Sequence, residues 1–412
     1  MFVINRDFAP PFKLIAPYFI IGVIFYIVSS LFALSFNMSV IGYTDPFVIA
    51  WVHLFLLGFV IMIIFGAMAQ LVPVVLESGH FAVNLYYVIW PLLLGGTLMM
   101  AYGFTISPSF LPFGGMTVLA AMFTFLLDTF LTIKKIQKKL TFTMLSIIIA
   151  NLFLLLGILF GITLAFGFAG KISIDLLELL KGHVYLVVVG YVMITIFGLS
   201  MTLIPMFALS HHFSWRPIKT ALLSISLGVL SVAAASLLHL TVLAYIGYLL
   251  SAVSLLFYLY QIYILYKTRA RKENDIYAKS LYISHASLLS SLPLGLYYLY
   301  NGSEAIVLAT GWLIFTGFFG FMIIGHLYKI VPFLIWFERF SPLVGKEKVP
   351  MLAEMVPQKS ANIQIFFGTI GVFGGTCGIL FGNNMLFKFA VASLSVGSLF
   401  LLRNLIYIMR FK

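Results

Sequence analysis

Twelve apolar runs follow one another along this chain, each about as long as a bilayer is thick and each set off from the next by a short polar break. They cover residues 13–35, 46–76, 82–104, 110–132, 143–168, 178–209, 217–239, 241–266, 277–300, 304–336, 361–382 and 385–409. A spanning helix needs about 20 apolar residues. The sequence therefore predicts an all-α integral membrane protein with twelve transmembrane helices in a single transmembrane domain over residues 1–412. Only 9% of the residues are charged, against about 25% in an ordinary globular chain, so a soluble fold could not cover itself with polar side chains. The second, sixth and tenth runs reach about 30 residues, longer than a perpendicular span, and are expected to tilt or protrude. The first run follows Pro10, Pro11 and Lys13 with no small-residue cleavage site, which makes it a span and not a leader. The single cysteine, Cys377, excludes an intrachain disulfide and a zinc ribbon.

The 24 Lys and Arg against 12 Asp and Glu are placed for membrane orientation, not for nucleic acid. Basic residues gather after even-numbered runs, at Lys134, Lys135, Lys138, Lys139, Arg216, Lys219, Lys267, Arg269, Arg271, Lys272, Lys279, Lys346, Lys348 and Lys359. The opposite side has only Lys171, Lys181 and Lys388. Short loops rich in Lys and Arg stay cytoplasmic, so both termini, with Arg6, Lys13, Arg410 and Lys412, are expected in the cytoplasm. The expected partner is the lipid bilayer, whose anionic headgroups such loops face.

The second run contains Gly58, Gly66 and Pro73, a G-x7-G-x6-P pattern that recurs as Gly190, Gly198, Pro205 in the sixth run and Gly317, Gly325, Pro332 in the tenth. Random placement of 33 glycines and 15 prolines makes even one occurrence uncommon. The copies are four runs apart, which predicts three pseudo-symmetric four-helix repeats at approximately 13–132, 143–266 and 277–409. The register continues to His80, His212 and Arg339, each followed by Phe. Lipid gives helices no hydrophobic drive to associate, and glycines let their backbones approach closely. The three notched helices are thus expected to stand round a common axis, each proline marking the approach to the inner end.

An ionisable side chain inside a membrane is costly, so each of the eight histidines calls for a role. In repeat register His53 stands five residues before its glycine, where the other copies have Tyr185 and Trp312; His183 stands seven before, where the others have Trp51 and Thr310. Both are expected about 10 Å below the outer surface at 1.5 Å per residue, and His239 closes the seventh run on the same side. A lone imidazole there either hydrogen-bonds a carbonyl of a neighbouring helix, or ligates haem iron or copper. His326 falls about 21 Å deeper and cannot share a metal with His53. His285, among Ser284, Ser287, Ser290 and Ser291, reads as a separate polar spot. His80, His211 and His212 lie at inner helix ends, where imidazole serves the last carbonyls. Lys329 is expected to snorkel to the inner surface, Asp128 to pair with the lysines that begin at Lys134, and the glycine-rich segment 374–382 to close a helix contact.

At the level of architecture, twelve helices in three repeats, with histidines on the second and sixth and a G-x6-P near each inner end, resemble the catalytic subunit I of haem-copper oxidases and nitric oxide reductases. The segment WVHLFLLGFVIMIIFGAMAQLVP, Trp51 to Pro73, is similar to the second helix of the NnrS family of haem- and copper-containing membrane proteins, with its histidine, a Gly-Phe five residues later and a proline. The resemblance implies the subunit I fold, haem b on His53, and copper near His183 and His239. It also implies a role in redox, nitric oxide or copper handling, an electron-transfer or assembly partner subunit, and the bacterial inner membrane. The chain departs from the oxidases where they have paired histidines on helix seven, and again where they have a His-x-His on helix ten, here Thr310 and Trp312. Neither threonine nor tryptophan holds haem iron, so full oxygen reduction is not expected; if the chain is an enzyme, it is an oxidoreductase of this superfamily.

Two other classes stay open. Twelve spans with both ends cytoplasmic is also a carrier plan, although carriers usually divide in two halves and this sequence divides in three. A non-catalytic membrane subunit or assembly scaffold would need none of the histidines. No phosphate loop, H-E-x-x-H or G-x-S-x-G occurs in the sequence.

Overall fold

The structure is a computed structural model in which residues 10–136 and 139–411 are described; Arg6, Lys138 and Lys412 lie outside them. The described residues form twelve long helices: α1 Phe12–Ser35, α2 Pro46–Leu76, α3 Val83–Thr105, α4 Pro108–Lys134, α5 Phe142–Phe168, α6 Leu176–Ala208, α7 Arg216–Leu238, α8 Thr241–Thr268, α9 Ile276–Asn301, α10 Glu304–Arg339, α11 Gln358–Leu380 and α12 Asn384–Met409. Every expected run is a helix, with ends within three residues. Eleven are long and apolar enough to cross a membrane; α9 is diluted by the serines around His285. The molecule is an integral membrane protein.

Local chemistry explains where several helices begin. Asp45 caps α2, its Oδ1 accepting from Phe47 N at 2.8 Å with Pro46 next in line, and Asp175 caps α6 through Glu178 N at 3.1 Å. Asp275 caps α9 through Ala278 N at 2.9 Å. Such side chains satisfy amide hydrogens that have no partner within the helix.

The three glycine-notched helices are the most buried of the chain: 83% of the apolar window of α2 and of α6 and 67% of that of α10 is buried, against at most 61% elsewhere. Each seats its two glycines on the helix before it. A Cβ at Gly58 would lie 2.4 Å from Phe25, and one at Gly66 2.5 Å from Tyr18, both on α1. Gly190 and Gly198 meet Phe153 and Ser146 of α5, while Gly317 and Gly325 meet Ser287 and Ser280 of α9. Phe25 and Tyr18, Phe153 and Ser146, and Ser287 and Ser280 are each seven apart, with Leu281 also against Gly325, its Cδ1 2.7 Å from where a Cβ would lie. Pro73, Pro205 and Pro332 lie inside the helices, which end three, three and seven residues later.

A feature with no sequence signal accompanies the notches. The first glycine of each pair sits in a π-helical turn, Leu54–Ile61 in α2, Tyr185–Met193 in α6 and Leu313–Phe319 in α10. Such turns make up well under 1% of residues in proteins and are frequent at functional sites. Glycines also close the α3–α4, α7–α8 and α11–α12 hairpins, where Gly96 meets Val118, Gly228 meets Ser251 and Gly371 meets Leu394. In the segment 374–382, Gly374 packs on Ala390 and Gly378 on Phe387, the helix contact expected of it.

The described residues fall into two compact units, one of Leu71–Lys272 and one of Pro10–Gln70 with Glu273–Lys412. The division passes through α2 and so does not follow the boundaries 13–132, 143–266 and 277–409.

Candidate functional site

His53 is half-buried on α2, immediately before the π turn. Its Nδ1–H donates to Ile49 O of its own helix at 2.8 Å. With Nδ1 protonated, a neutral ring has its lone pair on Nε2, the arrangement in which a histidine ligates iron while its other nitrogen is held by a carbonyl.

Two residues earlier, and so about 200° round the helix, Trp51 faces α10. Its indole stacks on that of Trp312 with centroids 5.3 Å apart and planes 17° from parallel. Phe55 and Phe315 continue the stack at 6.2 Å, Tyr26 lies 4.6 Å over Phe59, and the π turns of α2 and α10 pack directly. Trp312 is locked from its other side, where Nε1–H donates to the Gly371 and Val372 carbonyls, both at 3.2 Å, and Gly375 leaves room for the indole. These residues do not fit a haem inserted between α2 and α10, because aromatic rings occupy that space and Trp312 has no lone pair to offer.

His183 lies on α6 against α5, its Nδ1–H donating to Gly157 O at 2.9 Å. Its ring rests on Gly161, where a Cβ would come within 2.8 Å of Cε1. The pair Gly157 and Gly161, four residues apart, is a small-residue stripe that admits Val187 and His183, and that spacing was readable in the sequence. His239 lies at the exposed end of its helix. It ends α7 in the left-handed region, φ 54°, with 62% of its side chain exposed and Nδ1 4.0 Å from Asp175 Oδ2; helix termination turns it to the loop. Among the described residues no three of His, Cys, Asp and Glu gather as a metal set.

The other polar residues have specific partners. Lys329 reaches to the N-terminal end of α9, where its Nζ donates to Asp275 Oδ2 at 2.7 Å, and lies 5.7 Å from the Tyr277 ring. The Tyr277 hydroxyl is 3.5 Å from His326 Nε2, and His326 Nδ1–H donates to Met322 O at 2.8 Å. His285 is 9% exposed, with its ring 6.4 Å from that of Phe318. Asp128 pairs not with the lysines but with His80, Nδ1 to Oδ2 2.6 Å, both side chains essentially inaccessible. Its Oδ1 accepts from Ala82 N at 2.8 Å, so the pair holds the α2–α3 connection.

No family model matches the chain, and a search of curated proteins finds no match to it.

Proposed function

We propose that this protein is built on the three-repeat plan of haem-copper oxidase subunit I, with a second helix like that of the NnrS family. It carries a single haem on His53 and handles electrons or a small diatomic ligand such as nitric oxide, without reducing dioxygen. The observation that carries the reading is the conjunction at His53: an imidazole presented as the Nδ1–H tautomer, directly before a π turn whose counterparts recur at the same glycine in α6 and α10. The seven-residue spacing of the seats on α1, α5 and α9 supports the common plan. A haem held by His53 would supply the binding of an exogenous diatomic ligand or the transfer of an electron. The chain's own part is to orient the ring through Ile49 O and to shut the α2–α10 face with Trp51 and Trp312. The positive loops after even-numbered helices support cytoplasmic termini, and the family likeness supports the bacterial inner membrane. The test is the haem content of detergent-purified full-length protein: one haem per chain in the natural sequence and in His183→Ala, and loss in His53→Ala. Equal haem in His53→Ala and the natural protein contradicts the assignment.

A second reading, a proton-coupled carrier, is favoured by one observation, the ionisable groups of α9 and α10 around the Lys329–Asp275 pair. Solute uptake into proteoliposomes driven by a pH gradient tests it.

A further inference from the structure

Just beyond their last turns, α6 and α8 are tied together by main chain. Ala270 N donates to Leu209 O and Arg271 N to Ala208 O, each at 3.1 Å, and Ser210 pairs with Arg269 as an antiparallel bridge. The Ser210 hydroxyl lies 2.6 Å from that of Thr268. In extended pairing, side chains two residues apart project from the same face, so Arg269 and Arg271 stand on one side. The Arg269 guanidinium lies 5.2 Å from the centroid of the Tyr266 ring, and Arg271 Nη1 is 3.5 Å from Phe207 O. Lys267 and Lys272 flank this pair, and Arg216 and Lys219 begin α7. All six are exposed except Arg269, which is half-buried.

The surrounding sequence has no carboxylate to offset them: between Glu178, at the other end of α6, and Glu273 there is neither Asp nor Glu. The other two copies are an internal control. The first has Glu77 and Asp128 near its lysines, and Asp128 is bound to His80. The third interleaves its basic residues with acids, Lys346, Glu347, Lys348 and Glu354. Helix ends of one plan are thus built twice with mixed charge and once with cations alone. Clustered like charges repel one another, and the second copy accepts that cost with no acid of its own to relieve it.

Apolar side chains of the same segments are also exposed. Met206 and Leu209 are open at 42% and 45%, and Trp215, directly before Arg216, at 38%. The Trp215 ring is held 5.8 Å from Phe142 and 5.2 Å from Phe213. Tryptophan at a helix end belongs at the level of lipid headgroups, and guanidinium groups match phosphate oxygens in charge and geometry. We infer that the joined ends of α6 and α8, with the start of α7, bind one anionic phospholipid. Its phosphodiester sits on Arg269 and Arg271, and its acyl chains run along Met206, Leu209 and Trp215. Free phosphate offers the same oxygens but nothing to cover the apolar side chains, so the occupant is a lipid. The site needs no haem and no carried solute.

Native mass spectrometry of the full chain in detergent micelles, titrated with phosphatidylglycerol, tests it by counting bound lipids and giving their affinities. The expected result is one tightly bound phosphatidylglycerol per chain, not matched by phosphatidylcholine and not displaced by inorganic phosphate. Arg269→Gln combined with Arg271→Gln weakens it about thirtyfold, two surface charges at about fivefold each. Lys346→Gln combined with Lys348→Gln, in the third repeat, leaves it unchanged. If the arginine variant does not fold, Arg216→Gln combined with Lys219→Gln is read the same way. Unchanged affinity in the folded variant, equal binding of phosphatidylcholine, displacement by inorganic phosphate, or an equal loss in the third-repeat lysine variant overturns the site.

Discussion

The indole of Trp51 stacks on that of Trp312 at a centroid distance of 5.3 Å, and Trp312 Nε1–H is turned away from it to the Gly371 and Val372 carbonyls of α11. If the proposed oxidase-like plan holds, this stack fills the space between α2 and α10 and leaves His53 as the residue that would hold a haem.

This aromatic closure is a stability element. Trp312→Phe keeps the stack and loses the Nε1–H donor, at a cost of about 1 kcal/mol. Trp312→Ala leaves a cavity against Gly375 and Phe387 and costs about 3–5 kcal/mol. Thermal unfolding of the detergent-solubilised chain should rank them natural, Phe, Ala; an alanine variant as stable as the natural protein contradicts the packing described.

The glycine seats predict a position-dependent series. Gly58→Val, Gly190→Val and Gly317→Val each force a side chain into Phe25, Phe153 or Ser287 and destabilise by about 1–3 kcal/mol. Gly95→Ala and Gly311→Ala, where a Cβ meets nothing within 4 Å, are expected to stabilise by up to about 1 kcal/mol, because alanine is the better helix former. Melting temperatures of the five variants measured side by side decide this.

Much of that framework was legible in the letters. Long uncharged runs fix helices because no other single-segment structure satisfies its backbone in lipid, and the Gly58, Gly190 and Gly317 triplets mark the close contacts because only glycine permits them. The π turns were not legible: Leu54–Ile61 looks like any apolar stretch, and the turn depends on how α2 packs. Side-chain partners were not legible either. His80 and Asp128 are 48 residues apart, and nothing short of the fold brings them together, so Asp128 reads from sequence as a partner of the nearby lysines. His239 looks like a ligand by position, but the last turn of α7 decides where its ring goes.

The His80–Asp128 pair predicts a local effect. Asp128→Asn removes the carboxylate that accepts from both His80 and Ala82 N, worth about 1.5–3 kcal/mol for hydrogen bonds to a buried charged group. The connection between α2 and α3 should then be cut faster by protease in detergent micelles, with other loops unaffected. Unchanged cleavage there contradicts the clamp.

Gly161→Leu places a side chain where the His183 imidazole rests and should break its bond to Gly157 O. If His53 alone holds the haem, this variant retains full haem content while its melting temperature falls by the equivalent of about 1–3 kcal/mol; loss of haem without loss of stability points to His183 instead.

The central claim, one haem on a single histidine with its other axial face open, is tested most directly by the visible spectrum of the purified, reduced protein before and after carbon monoxide. The account predicts a Soret band that shifts when the gas is added. A colourless protein without iron, or a Soret band that the gas leaves unmoved, contradicts it.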